Sequence, residues 1–344
     1  GGAFGFGRGS AVRNNNLYFE SCTFINNRCK EQLGGALWIA SSGIVSIENS
    51  NFTNNKALGT ESKGGAIYFD PLCTASVSIV NTHMSKNSAI DANAIYLPSS
   101  LSTVHIDGCD IRNNGNLNSA ITSICPILLI ENTFIGFEKY SLKCRGISIL
   151  TSCNFTVKNC NISNCDANEG KDQGGGIYFN HEGAATRSIK AAQESIVIED
   201  SIFTNCKGGN GCACMIWSSG NVVFNRNTIQ DCRNGKFVFV IICSNFVENF
   251  VIEDCIFHHN LMNNKQESED GGGSGIWIAN NKYKVPQGSY THLTFRNCQW
   301  TNNQASTVGG AFAWGRSDTI INTAVTFDNC RFIENNARNR EGGA

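Results

Sequence analysis

The chain has 344 residues, and its 27 basic and 28 acidic side chains leave a net charge of −1. No field of one sign exists to recruit nucleic acid or an anionic membrane surface, so neither is an expected partner. No apolar run approaches the ~18 residues that cross a bilayer, and only 4 prolines suit a chain that is mostly strand, because proline cannot donate to a ladder.

Self-similarity organises the rest. One phrase recurs as apolar-x-apolar-x-N-C-x-apolar-x-x-N. In chain order it reads LYFESCTFINN (17–27), VSIENSNFTNN (45–55), VSIVNTHMSKN (77–87) and VHIDGCDIRNN (104–114). A degenerate copy follows at 128–138, then FTVKNCNISNC (155–165), IVIEDSIFTNC (196–206) and VVFNRNTIQDC (222–232). FVIEDCIFHHN (250–260), LTFRNCQWTNN (293–303) and VTFDNCRFIEN (325–335) complete the series. A second phrase alternates with it: two small residues and an apolar run, as in Gly34-Gly35-Ala36-Leu37, Gly64-Gly65-Ala66-Ile67, Gly175-Gly176-Ile177 and Gly309-Gly310-Ala311-Phe312. Equivalent positions lie about 25 to about 38 residues apart, one solenoid coil with loops of variable length.

Each phrase alternates with period 2, which predicts short strands with one face inward. Leu293, Phe295 and Trp300 are expected inside, Thr294 and Arg296 outside. No segment holds a sustained helical pattern. The expected fold is therefore all-β: a right-handed, single-stranded parallel β-helix of about eleven coils, one domain over 1–344. The chain opens in Gly-Gly-Ala-Phe and closes in Gly342-Gly343-Ala344, the same point of the repeat. That suggests either a segment of a longer β-helix or subunits abutting end to end, because an uncapped solenoid end invites another coil.

The alternation of G-G-A-[ILVF], beginning at Gly1, Gly34, Gly64 and Gly309, with F-x-x-N, at 24–27, 52–55, 257–260 and 332–335, resembles the repeats of the polymorphic outer-membrane protein family. Those are surface adhesins secreted as autotransporters. The resemblance spans the chain and implies a β-helix and adhesion. The chain departs from the family in showing no outer-membrane barrel and in its richness in cysteine.

Candidate site residues fall in columns of the repeat. Asn49, Asn81, Asn132, Asn159, Asn297 and Asn329 share one, with Asp200 and Asp254 as substitutes. Asn and Asp tolerate a left-handed bend, and stacked amides can bond from coil to coil. Cys22, Cys109, Cys160, Cys255, Cys298 and Cys330 share the next, with Ser50, Thr82, Thr133 and Ser201. The strand spacing is too wide there for a relaxed disulfide, so these read as small buried thiols. Cys165, Cys206 and Cys232 replace the last Asn of the phrase, with Cys212 and Cys214 in the adjoining loop. Disulfides, free thiols and a metal site all remain open for this group. Cys125, Cys144 and Cys153 form another possible bridging neighbourhood. Seventeen cysteines point to an oxidising, extracellular or cell-surface location, as do the sequons at Asn51, Asn154 and Asn161.

Pectin-degrading β-helix enzymes carry carboxylates on one outward face. Here Glu20, Glu48, Asp107, Glu131, Glu199, Glu253 and Asp328 line such a column, interrupted by Lys158 and Arg296. The interruption reads as a solvated charge ladder. Pairs such as Glu20/Glu48 or Asp107/Glu131 leave Ca²⁺ open as a lesser reading, and nothing marks the cleft that acid–base catalysis needs. Trp38, Tyr68, Tyr178 and Trp277 follow the small pair and read as an outward stripe, either a glycan platform or the floor of a covering loop. No cofactor, metal or catalytic residue is assigned. The expected function is a non-enzymatic extracellular structural rod or filament component, its partners further coils or copies of itself. An adhesin or glycan-binding module is the alternative, and a polysaccharide lyase or hydrolase a third reading.

Overall fold

Apolar residues two apart, flanked by residues that accept a left-handed bend, fold each repeat copy into three short strands. The computed structural model of the protein describes residues 1–7, 15–30, 33–115, 118–139, 143–151, 153–167, 174–180, 195–209, 211–218, 221–233, 238–243, 249–262, 276–280, 291–306, 309–314 and 323–338. They form two compact units, Gly1–Cys165 and Asp166–Ala344.

In the first unit each of three parallel sheets takes six strands. The first sheet begins Phe4–Phe6, Leu37–Ile39, Ile67–Phe69; the second Leu17–Glu20, Ile44–Glu48, Ser76–Val80; the third Thr23–Ile25, Asn51–Thr53, His83–Ser85. Register holds every column expected from the repeat: Val45 pairs with Val77 and Ile47 with Ile79, and Val104 and Ile106 follow. The second unit repeats the plan with five strands in each sheet, for example Asn249–Glu253, Thr291–Arg296 and Thr323–Asp328 in its second sheet.

A fourth, short side pairs in only part of the copies, such as Arg28–Cys29 with Lys56–Ala57 and Leu261–Met262 with Gln304–Ala305. The solenoid makes about 8 turns. Eleven, the number of repeat copies, slightly overstates the turns.

The core is the inward face of each strand. Val45, Ile47, Phe52, Ile79 and Met84 are buried in the first unit, Phe203, Phe257, Phe295 and Trp300 in the second. Phe295 and Trp300 lie where alternation places them, both 0 % exposed, while Arg296 faces solvent. Trp300 stacks between Phe257 at 5.3 Å and Phe332 at 4.7 Å. Trp300→Ala removes that stack and leaves a cavity, so it should cost about 3–5 kcal/mol, whereas Thr294→Ala on the outer face should fall within about 0.5 kcal/mol. Chemical denaturation of the two variants checks this.

The bends have the predicted chemistry. Asn49, Asn81, Asn132, Asn159, Asn297 and Asn329 have φ between 47° and 54°, and Asp200 and Asp254 are at 53°. The Gly-Gly pair splits into two roles. Gly34 takes φ +68, and a Cβ on Gly35 would run into the carbonyl of Gly65 in the next coil.

Candidate functional site

The polar residues of the repeat form ladders, and one was not foreseen. Asn27, Asn55, Asn87 and Asn114, the last residues of their phrases, turn inward, and all but Asn27 are fully buried. The backbone N–H and Nδ2 of Asn55 donate to Asn87 Oδ1 at 3.0 and 2.9 Å. Asn87 donates in the same way to Asn114 Oδ1 at 3.0 and 2.9 Å. Each Nδ2 also reaches a strand carbonyl: Asn55 to Phe24 O at 2.9 Å, Asn87 to Phe52 O at 2.9 Å and Asn114 to Met84 O at 2.8 Å. The second unit repeats the device with Asn260, Asn303 and Asn335. Burial without penalty requires such satisfaction. The signal was present in the terminal Asn of F-x-x-N, but a column of Asn does not by itself say which way it points. The residue before it makes the turn: Asn26, Asn54, Asn113, Asn164, Asn205 and Asn302 all have φ near +55.

The predicted Asn ladder also forms, on the outside. Asn159 Nδ2 donates to Asn132 Oδ1 at 2.7 Å, Asn132 Nδ2 to Asp107 Oδ1 at 2.7 Å, and Asn329 Nδ2 to Asn297 Oδ1 at 2.9 Å. Its rungs are solvent-exposed, so it adds less than the buried one.

The cysteine column is a third ladder. Cys22 N–H donates to Ser50 Oγ at 3.0 Å and Cys109 N–H to Thr133 Oγ1 at 3.2 Å. Each side chain then donates to the carbonyl two residues back, as in Ser50 to Glu48 O (2.8 Å), Cys109 to Asp107 O (3.3 Å) and Cys255 to Glu253 O (3.1 Å). The thiols are thus polar rungs and more than small apolar fillers, which explains their exchange with Ser and Thr. Thr133→Val strips the acceptor from Cys109 N–H inside the core and should cost about 1–3 kcal/mol, while Thr133→Ser keeps the rung and should cost well under about 1 kcal/mol. Comparing denaturation midpoints of the two separates a hydrogen-bond role from a packing role.

The expectation of disulfides is not supported. Cys125, Cys144, Cys153, Cys165, Cys206, Cys212, Cys214 and Cys232 are all buried thiols, and no cysteine described is bridged. Cys206 and Cys232 occupy one column in the second unit, so they meet the same strand spacing that excludes bridges in the first cysteine column. Cys212 instead donates to Gly208 O at 3.4 Å. Burial pushes Cys144 and Cys212 up to about 12, Cys109 and Cys160 up to about 11. Cys125 goes the other way, lowered by its hydrogen bond with the Cys153 thiol. Among the described residues no cluster of His, Cys, Asp or Glu is arranged to hold a metal ion. In denaturant without reductant at least the 16 described cysteines should titrate with a thiol reagent. In the native protein the half-exposed Cys22, Cys29 and Cys330 should react first, since reactivity follows thiolate and access. A shortfall in the denatured count would reveal bridges.

The carboxylate column behaves as a charge ladder on the outer face of the second sheet. Glu131 Oε2 meets His105 Nε2 at 3.1 Å, Glu48 Oε1 accepts from Ser46 Oγ at 2.6 Å, and Arg296 bridges Glu253 at 3.0 Å and Asp328 at 3.6 Å. Arg226, not singled out from sequence, clamps Asp200 at 2.6 and 2.8 Å and reaches Glu199 at 3.3 Å. Its hydrogen bonds to Asp200 hold the guanidinium above its ordinary value.

The aromatic stripe of the first unit is covered. Tyr68 and Tyr96 stack at 5.3 Å, Lys63 Nζ sits 4.6 Å from the Tyr96 ring centre, and Ala92, Leu33 and Trp38 close around them. Burial pushes the Tyr68 hydroxyl up to about 12. Tyr68 is thus buried beneath its neighbours, whereas Trp38 stays half-buried at their edge. Tyr178 is half-buried and accepts from Asn180 Nδ2 at 2.7 Å. The Trp277 side chain lies outside the described residues. The sequons lie in strands: Asn154 and Asn161 are exposed, and Asn51 is half-buried, accepting from Thr53 Oγ1 at 2.7 Å.

The family described as right handed beta helix region matches residues 10–190 and 182–332. The chain belongs to the right-handed β-helix family. No curated protein and no solved structure matches it. Membership gives the solenoid its hand and agrees with parallel pairing throughout. The right-handed β-helix family includes polysaccharide-cleaving enzymes and adhesins, so membership does not choose a function. The narrower likeness to polymorphic outer-membrane repeats is not part of this match.

Proposed function

We propose that this right-handed β-helix is a non-enzymatic structural rod of an extracellular surface layer, appendage or filament. The observation that carries the reading is the uniformity of its polar chemistry. The same three ladders recur coil after coil, with Ser, Thr, Cys and Asn interchangeable, as a scaffold requires and a localised active site does not. The carboxylate column supports it too, since Glu131, Glu199, Glu253 and Asp328 are engaged by His105, Arg226 and Arg296. Further coils or copies of the chain, meeting end to end, are the partners this reading implies. The cell-surface location rests on the exposed sequons at Asn154 and Asn161 and on the GGA/FxxN resemblance; the described cysteines, being unbridged, lend it nothing. Imaging of the native assembly tests the proposal: fibres with a repeat near the ~4.8 Å strand spacing are expected, and isolated short particles at every concentration would overturn it.

The burial of Tyr68 and Tyr96 speaks against an aromatic platform for the adhesin alternative in the first unit, where only Trp38 stays half-buried. Glycan-array binding is the discriminating test. The rod reading predicts no saturable binding that Trp38→Ala or Trp277→Ala abolishes.

A further inference from the structure

One outward patch of the third sheet in the first unit breaks the uniformity. The two outward positions of each third-sheet strand hold an amide and a hydroxyl in several copies: Asn51 with Thr53, Asn161 with Ser163, Gln299 with Thr301. In the strand His83–Ser85 they hold an imidazole and a hydroxyl, and the next strand supplies a carboxylate. His83 Nε2 lies 3.0 Å from Ser85 Oγ, and His83 Nδ1 lies 3.0 Å from Asp110 Oδ2. The other oxygen of that carboxylate, Oδ1, accepts from Arg112 Nε at 2.6 Å. Arg112 in turn reaches Glu138 Oε1 at 3.4 Å and lies over the Phe134 ring at 5.2 Å.

The connectivity has direct chemical meaning. An Asp on Nδ1 fixes the tautomer that carries its proton there, leaving Nε2 as the acceptor for a serine hydroxyl. A nucleophile on a base that a third group orients is the arrangement that activates a hydroxyl. Period-2 alternation brings Ser85 and His83 to one face of one strand, and in-register pairing sets Asp110 beside His83. The His83 side chain is 39 % exposed and that of Asp110 31 %, while Ser85 itself is 8 % exposed, so the imidazole edge of the group meets solvent and the hydroxyl lies beneath it.

We propose that Ser85 is an activated nucleophile that accepts an acyl group from esters, a covalent attachment point on the outer face. Ser85 Oγ attacks the ester carbonyl carbon. His83 Nε2 takes the hydroxyl proton and returns it to the departing oxygen. The C–O bond to the leaving alcohol breaks as the Ser85 acyl ester forms, and no oxidant or further reactant is needed. Asp110 and Arg112 are positioning residues. Turnover is not part of the proposal, because the neighbouring backbone is committed: Lys86 N–H donates to Asn113 O at 3.1 Å and Ser85 O accepts from Asn54 N–H at 2.9 Å. Without free amide donors the tetrahedral oxyanion goes unstabilised, a loss worth about 10²–10³ in rate per missing donor. Acylation should therefore be slow and stoichiometric.

p-Nitrophenyl acetate is the probe. The full chain should release one equivalent of nitrophenolate and carry the acetyl group on Ser85 by peptide mass spectrometry. Ser85→Ala should abolish the burst, and His83→Gln should slow it about 10²-fold or more, the size of a general-base contribution. Asp110→Asn should slow it as well, by misorienting the imidazole. Exposed Ser76 and Ser102, whose hydroxyls meet only each other at 2.9 Å, serve as internal references within the same molecule. Protection of the buried thiols against a thiol reagent reports that each variant is folded. Acetylation of Ser85 no faster than of Ser76 or Ser102, or a burst that survives in Ser85→Ala, would overturn the proposal.

Discussion

Replacing Asn87 by leucine should destabilise the first unit by roughly 3–6 kcal/mol, although the new side chain is larger and more apolar. Asn87 is fully buried, and its Oδ1 is the acceptor for both the backbone N–H and the Nδ2 of Asn55. Its own Nδ2 serves Phe52 O and Asn114 Oδ1. Leucine satisfies none of these, and each buried orphan costs about 1–3 kcal/mol. Asn87→Cys should cost less, because Cys165, Cys206 and Cys232 already stand at this position in other copies. Because the rungs share partners, combining Asn55→Leu with Asn87→Leu should cost less than the two single effects together, the coupling expected of contacting residues. Urea denaturation followed by circular dichroism measures all four. An Asn87→Leu midpoint indistinguishable from wild type would show that the ladder is ornamental.

Alkali should be the second strong perturbation. Cys109, Cys144 and Cys160 of the first unit are held at about 11, 12 and 11 by burial, against an ordinary thiol value of 9.0. The sign follows from linkage. A folded-state value raised above the unfolded one contributes stability that is complete below the unfolded value and is lost as pH rises through the folded one. Between pH 9 and 12 the unfolded chain ionises its thiols while the folded one cannot. By pH 11 the loss is about 2 kcal/mol for each of these thiols. Cys109→Ser and Cys160→Ser keep a hydrogen-bonding rung and remove the titration. The double variant should therefore retain about 4 kcal/mol more of its neutral-pH stability at pH 11 than wild type does. Denaturation midpoints at pH 7.5 and 11 check this; parallel losses in the two proteins would contradict it.

The pattern of what was legible in the sequence follows from what periodicity encodes. Alternation in LTFRNCQW placed Phe295 and Trp300 inside because a period of 2 leaves only two faces to choose between. Asn49 and its equivalents announced a left-handed bend because few other residues accept one. The inward turn of Asn55, Asn87 and Asn114 was not legible. It depends on the residue before each of them, Asn54, Lys86 and Asn113, making its own left-handed turn, and Lys86 gives no hint of that. For the cysteines the strand spacing already argued against bridges in the first column, but nothing in the sequence decided between bridges and thiols for Cys165, Cys206, Cys232 and their loop neighbours, because that depends on how the loops lie. The Ser85–His83–Asp110 grouping joins residues 27 apart in sequence, at His83 and Asp110. Only in-register pairing of two coils brings them together, so no local motif marks it.

Successive repeat copies stack in parallel register and satisfy one another's buried polar groups. A density map that resolves side chains along Asn27, Asn55, Asn87 and Asn114 tests it most directly. The account predicts four amides in line at the ~4.8 Å strand spacing, each Oδ1 facing the N–H and Nδ2 of the coil before it. Amides turned to solvent, or neighbouring copies paired antiparallel, would contradict it.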